Sequence, residues 1–175
     1  MRVRRGNRVE QLEARRVEEL ARRISRDYRG RELLLVGILK GSFVFLADLM
    51  RRLEVPSRVD FVRLASYGSS QLPGQVRLLK DLELEVRGQD VLVVEDIVDT
   101  GHTLAFLLEE LRRRGAGSVR VCVLVDKRAR RQVPLHPDYV GFSLEEDAFL
   151  VGYGLDFDER YRWLNGIYAL EPPSR

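Results

Sequence analysis

VLVVEDIVDTGHTL, residues 91–104, is the stretch from which the rest of the chain is read. Val91 to Glu95 is a short apolar run, the pattern of a strand buried on both faces in a parallel sheet. Two acids, Glu95 and Asp96, close the run, and a third, Asp99, follows after two aliphatic residues. Thr100-Gly101-His102-Thr103 then leads into a helix predicted over about 103–114, with Gly115 as its C′ residue. Strand, loop and helix in this order form a phosphate cradle at the carboxyl end of a strand, where α/β sheets gather their ligands. The cradle offers backbone N–H groups and threonine hydroxyls, and Gly101 lets the backbone approach an anion closely.

Two further apolar runs flank this stretch, LLLVGIL (33–39) and VRVCVLVD (119–126). Val9, Leu12, Val17, Leu20, Ile24 and Tyr28 recur at helical spacing, which predicts an amphipathic helix over 9–28 stopped by Gly30. A second helix is predicted over 43–53 (FVFLADLMRRL), ended by Pro56. VDFVRLASY (59–67) and the alternating segment 76–86 read as extended, with a polar loop between them. YVGF (139–142), FLVGYGL (149–155) and RWLNGIYAL (162–170) complete the chain. Apolar strands alternating with helices predict an α/β fold around a parallel sheet with right-handed crossovers. At 175 residues the chain is expected to be one domain.

Composition removes several classes. Hydrophobic residues are 45% and charged residues 33%, the balance of a globular protein. The net charge of +3 comes from interspersed signs, so no nucleic-acid partner is expected. The longest apolar run, 33–39, is seven residues, too short to span a membrane. The first residues carry no apolar signal-peptide core, and Cys122 has no second cysteine to pair with, so a cytoplasmic location is expected. Only three of the 30 basic residues are lysines, Lys40, Lys80 and Lys127. In a chain that otherwise uses arginine, a retained lysine points to a site needing a compact charge.

The 91–104 loop lacks the three spaced glycines of a dinucleotide fingerprint and the GxxxxGK[ST] of a P-loop. Its carboxylates would repel a polyphosphate. They suit sugar hydroxyls, which donate hydrogen bonds, or a metal that bridges charges. A ribose 5-phosphate with Mg²⁺ meets all of these demands.

EDIVDTGHT (95–103) resembles the phosphoribosyl-pyrophosphate (PRPP) loop of the type I phosphoribosyltransferase family, in its hypoxanthine–guanine form. ILKGS (38–42), SYG (66–68), LLKDL (78–82), LVDKR (124–128) and FLVGYGLDFDERYR (149–162) match the same family in the same order. The resemblance implies a central, mostly parallel sheet flanked by helices, with a small hood formed by the N- and C-terminal segments. The core would be about 30–130, the hood 1–30 and 131–175, and a lid about 66–75. It implies purine salvage: 5-phosphoribose passes from PRPP to N9 of hypoxanthine, with guanine as a second base, giving IMP or GMP and pyrophosphate. Partners would be these small molecules and further copies of the chain in a homodimer or homotetramer, with 43–53 a candidate interface.

The same resemblance implies residue roles. Asp99 would handle the proton on purine N7 and belong to the residues that bind PRPP; otherwise it is a helix N-cap. Glu95 and Asp96 would meet the ribose hydroxyls and Mg²⁺, with Asp156 as a further metal ligand. Thr100, Gly101, His102 and Thr103 would hold the 5′-phosphate. Leu39, Lys40 and Gly41, with a cis peptide before Lys40, would contact pyrophosphate, together with Ser66, Tyr67 and Arg162. Lys127 would donate to the purine 6-oxygen, or else be a strand-end surface lysine. Phe149 would stack on the base, or else be a core aromatic. Leu150 would bond the base edge and Ile97 pack on its other face. Lys80 is given a structural or lid-related role. The competing expectation is a PRPP- or nucleotide-sensing regulator of the same fold that binds RNA or DNA.

Overall fold

The computed structural model describes residues 2–3, 9–67, 75–145 and 148–171. In chain order the elements are β1 (Arg2–Val3), α1 (Val9–Asp27), β2 (Leu33–Leu39), α2 (Phe43–Met50), β3 (Ser57–Tyr67), β4 (Gln75–Lys80) and β5 (Asp90–Val98). Then come α3 (His102–Arg113), β6 (Ser118–Lys127), a 3₁₀ turn (Arg128–Arg130), β7 (Tyr139–Leu144), β8 (Leu150–Val151) and β9 (Tyr168–Glu171). Six strands form the central sheet in the order β4-β3-β2-β5-β6-β7. Every neighbouring pair is parallel except the β3–β4 hairpin. The second sheet, β1-β9-β8, is antiparallel and joins the two ends of the chain, as expected of a hood.

The apolar runs explain the layering. Along β2, Leu33 and Leu35 face a core shared with α1 and α2, through Leu20, Ile24, Phe45 and Leu49. Leu34 and Val36 face the opposite core, shared with α3 through Leu104, Leu107 and Leu111. Strands covered on both faces need apolar residues at both parities, which is why 33–39 and 91–94 show no alternation. Each fully buried leucine or phenylalanine contributes about 1.5–3 kcal/mol. The chain passes from β2 to β3 on one side and resumes through β5 on the other, so the β2/β5 pair is the switch point of the sheet.

Several boundaries differ from the sequence reading. β5 runs on to Val98, so Asp96, expected just past the 91–95 strand, lies within it beside Glu95. The extended segment 76–86 is a strand only to Lys80. Beyond it the backbone turns to a buried carboxylate: Asp60 accepts the N–H groups of Glu83 and Leu84 at 2.7 and 2.8 Å. Lys80 closes this corner, donating to Phe61 O at 3.0 Å and pairing with Glu83 at 3.1 Å, which is a structural role. Helix α2 stops at Met50 instead of Leu53, because Arg51 and Arg52 donate side-chain bonds to the Ala47 and Asp48 carbonyls of the last turn. The expected strand 149–155 shrinks to Leu150–Val151, since Gly152, Tyr153 and Gly154 all take positive φ. Residues 68–74, most of the expected lid, lie outside the described residues, as do the side chains of Ser66 and Tyr67.

Candidate active site

The carboxyl ends of β2, β5 and β6 meet under the β8 segment around a cavity of about 300 Å³. Lys40, Gly41, Asp96, Ile97, Asp99, Lys127, Phe149, Leu150, Asp156 and Arg162 line it, together with Arg130 and Leu155. Ten of the expected site residues are thereby brought together. A groove of about 380 Å³ between α1 and β7 is lined by Arg16, Arg22, Arg23, Arg26 and Glu19 and carries none of them.

The floor is built by close backbone approach. A Cβ on Gly41 would lie 1.8 Å from Asp96 Oδ2, so only glycine lets the β2 turn pass over this carboxylate. The peptide between Leu39 and Lys40 is cis, as the resemblance implies. The phosphate cradle forms at the start of α3. Gly101 is the N-cap residue at φ 90°, where no side chain caps the helix, and its O accepts from Ala105 N at 2.9 Å. The N–H groups of the first turn therefore have no side-chain cap, and the helix dipole there favours an anion. Thr100 and Thr103 flank this turn, and His102 Nε2 lies 3.0 Å from Gln132 Oε1. The side chain of His102 is thus turned to the β6–β7 connection.

Asp99 is not the N-cap, which removes its bland alternative. Its Oδ1 is buried without a hydrogen-bond partner, and its Oδ2 lies 3.4 Å from Arg130 Nη1. Arg131 Nε donates to the Asp99 carbonyl at 3.1 Å and fixes the backbone there. Lys127 is the last residue of β6 and is only 5% exposed, so it is not a surface lysine. Phe149 is 50% exposed at the rim and packs edge-to-face on Phe157 at 5.4 Å, so it is not a core aromatic.

The acids of β5 are held in an unfavourable state. Burial, and then the neighbouring Asp96 charge, push the Glu95 carboxyl well above its ordinary range; its Oε2 is buried and has no hydrogen-bond partner. Burial raises Asp96 to about 6 against the hydrogen bonds of nearby N–H groups. Orphaned, desolvated carboxylate oxygens fit a divalent cation. Among the described residues, however, no three His, Cys, Asp or Glu side chains converge to hold a metal unaided. The expected set of Glu95, Asp96 and Asp156 is therefore not a preformed cage. Asp156 is instead occupied, its Oδ1 2.8 Å from Arg162 Nη2 and its Oδ2 accepting Glu159 N–H at 2.8 Å.

Comparison with known proteins follows the same segments. Residues 8–158 match the family model described as the phosphoribosyl transferase domain. The chain belongs to this family. It is 48% identical over 152 residues to hypoxanthine phosphoribosyltransferase of Salmonella typhimurium, covering 85% of each. It is 46% identical over 171 residues to hypoxanthine-guanine phosphoribosyltransferase of Mycobacterium avium, covering 94% of this chain and 83% of that one. A crystal structure of hypoxanthine-guanine phosphoribosyltransferase from Bacillus anthracis superposes with a TM-score of 0.90 at 40% identity, over 98% of this chain and all of that one. The mostly parallel sheet, its flanking helices and the hood are the architecture of a phosphoribosyltransferase. No helix among the described residues is long and apolar enough to cross a membrane.

Besides Leu155, two residues of the cavity region escaped the sequence reading. Arg130, which pairs with Asp99, lies in the Arg-rich turn after β6, outside every motif read there. Glu159, which pairs with Lys40 at 2.9 Å, lies 119 residues away from it in sequence.

The buried β5 acid carries a stability consequence. An aspartate with a folded pKa near 6 holds a proton that the unfolded chain, near 3.8, has released. Its contribution therefore turns against folding as pH rises from about 4 to about 6. Asp96→Asn is expected to stabilise the ligand-free protein at pH 8 by about 1–3 kcal/mol, at about 1.4 kcal/mol per pKa unit. The gain should shrink toward pH 4. Urea denaturation at the two pH values reads it. The same variant should use PRPP poorly, the usual exchange of function for stability.

Proposed function

We propose that this phosphoribosyltransferase works in purine salvage, transferring 5-phosphoribose from PRPP to N9 of hypoxanthine and, as a second base, guanine. N9 attacks C1′, the bond from C1′ to the pyrophosphate oxygen breaks, and the proton on N7 passes to the Asp99 carboxylate. The observation that carries the reading is the joint position of Asp99, Lys127 and Phe149 around one cavity beside an uncapped helix start. The first turn of α3, Thr100 to Thr103, fixes the 5′-phosphate and so holds C1′ in register with the base. Lys127 donates to the purine 6-oxygen, Phe149 stacks on the ring against Ile97, and Leu150 meets the base edge through its backbone. Leu39 to Gly41, Ser66, Tyr67 and Arg162 take the pyrophosphate end.

Glu95 and Asp96 would hold Mg²⁺, with Asp156 as a further ligand. Bound there, Mg²⁺ neutralises the leaving pyrophosphate. The chain acts as one domain with a hood and a lid at about 66–75, in the cytoplasm, as a homodimer or homotetramer. Phe43 and Met50, the exposed large hydrophobic residues of α2, would be contact residues of that assembly. The regulatory alternative has no observation in its favour.

The test is a parallel assay of hypoxanthine, guanine, xanthine, adenine and uracil with PRPP and Mg²⁺, following base consumption and pyrophosphate release. Turnover of 6-oxopurines without adenine or uracil is the expected result. PRPP binding without turnover of any base would overturn the enzyme reading and return the sensor.

A further inference from the structure

Glu159 bridges the two side-chain cations at the pyrophosphate end of the cavity. Its Oε1 lies 2.9 Å from Lys40 Nζ, and its Oε2 lies 3.2 Å from Arg162 Nη2. Arg162 is itself held in place, because its Nη1 donates to Gly154 O at 2.7 Å and its Nη2, besides meeting Glu159, lies 2.8 Å from Asp156 Oδ1. Arg162 Nε is buried without a hydrogen-bond partner, so this guanidinium retains an unused donor. Glu159 is fixed from below by its own N–H, which donates to Asp156 Oδ2 at 2.8 Å. Its backbone sits in the left-handed region at φ 59°, beside Asp158 at φ 53°. Non-glycine residues occupy that region where their surroundings hold them. A carboxylate is thus presented to both cations by a braced backbone.

We propose that Glu159 is a displaceable counter-ion that stands in for pyrophosphate. In the resting site its carboxylate neutralises Lys40, shares Arg162 with Asp156, and keeps the two cations aimed at one point. The pyrophosphate end of PRPP displaces it by making more charge-assisted bonds to the same groups. As pyrophosphate leaves, the carboxylate returns to the cations and lowers the affinity for the product. The Glu159 side chain is 63% exposed, so displacement needs no repacking of a core. A positioning residue of this kind tunes affinity without touching the reacting atoms. The inference rests on the assignment of Lys40 and Arg162 to pyrophosphate made above.

A simple surface ion pair would leave substrate affinity unchanged; a stand-in for pyrophosphate would not. Glu159→Gln should bind Mg²⁺-pyrophosphate about 1.5- to fivefold more tightly by calorimetry, the scale set by one modest exposed ion pair. Product inhibition by pyrophosphate should tighten by the same factor and KM for PRPP should fall. KM for hypoxanthine and the melting temperature should stay at wild-type values. Glu159→Asp, which keeps the charge, should return the affinity toward wild type. Equal or weaker pyrophosphate binding by a folded Glu159→Gln, when the wild type binds it, overturns the counter-ion role alone. A wild type that neither binds pyrophosphate nor is inhibited by it overturns the assignment of Lys40 and Arg162 as well.

Discussion

Asp99→Asn should lower kcat for hypoxanthine by about 10²–10⁴-fold, the range of a lost general base. Asparagine keeps the size and one carbonyl oxygen of the side chain but cannot accept the N7 proton. The Asp99 backbone is held independently, by Arg131 at 3.1 Å, so the cradle should survive the change. Binding of PRPP should therefore stay within about threefold of wild type if the 5′-phosphate is held chiefly by the first turn of α3. Steady-state kinetics with calorimetric PRPP binding separates the two. A fall in PRPP affinity that accounts for the whole loss would mean that Asp99 only shapes the loop. Unchanged turnover would remove it from the reaction.

The fold was legible because double-faced burial leaves a plain mark. Leu33–Leu39 and Val91–Val94 are apolar at both parities, and only a strand covered on both sides needs that. The hood was legible only through family resemblance, since β1 and β8 are two-residue strands without a pattern of their own. The ends of elements were hidden where a side chain captures the backbone. Asp60 takes the N–H groups that would have continued the hairpin, and nothing local in 81–86 reveals that carboxylate.

The site divided in the same way. The cradle is contiguous in sequence, and its glycine, threonines and acids announce a phosphate beside a sugar. Gly41 read as a pyrophosphate contact, and nothing near it in sequence announced its steric constraint, Asp96, 55 residues further on. The pairs Arg130–Asp99 and Glu159–Lys40 arise only when separate loops meet, so no motif carried them. The lysine count was the better guide. Of the three retained, one ends β6 buried in the cavity, one follows β2 beside it, and the third braces the corner at Asp60.

Lys127 is the residue through which base choice should be altered. An ammonium donates and cannot accept, so at the 6-position it rewards an oxygen and rejects an amino group. Its burial at the end of β6 makes the discrimination sharp, because an ammonium facing an amino group there has little water to turn to instead. Lys127→Ala should cut kcat/KM for hypoxanthine by about 10–100-fold, the scale of one hydrogen bond to a charged group. Adenine should change far less, so the ratio between the two bases narrows. Competing-base assays of kcat/KM give that ratio directly. If both bases lose equally, the lysine supports the cavity without reading the 6-position. If hypoxanthine is untouched, base choice lies with Phe149, Leu150 and the backbone edge. The arginines of the adjoining turn do not replace Lys127, since Arg128 and Arg131 are paired with Asp126 and Arg130 with Asp99. A compact charge on a flexible stem is what the position requires, and Lys127→Arg should accordingly fail to restore the wild-type ratio.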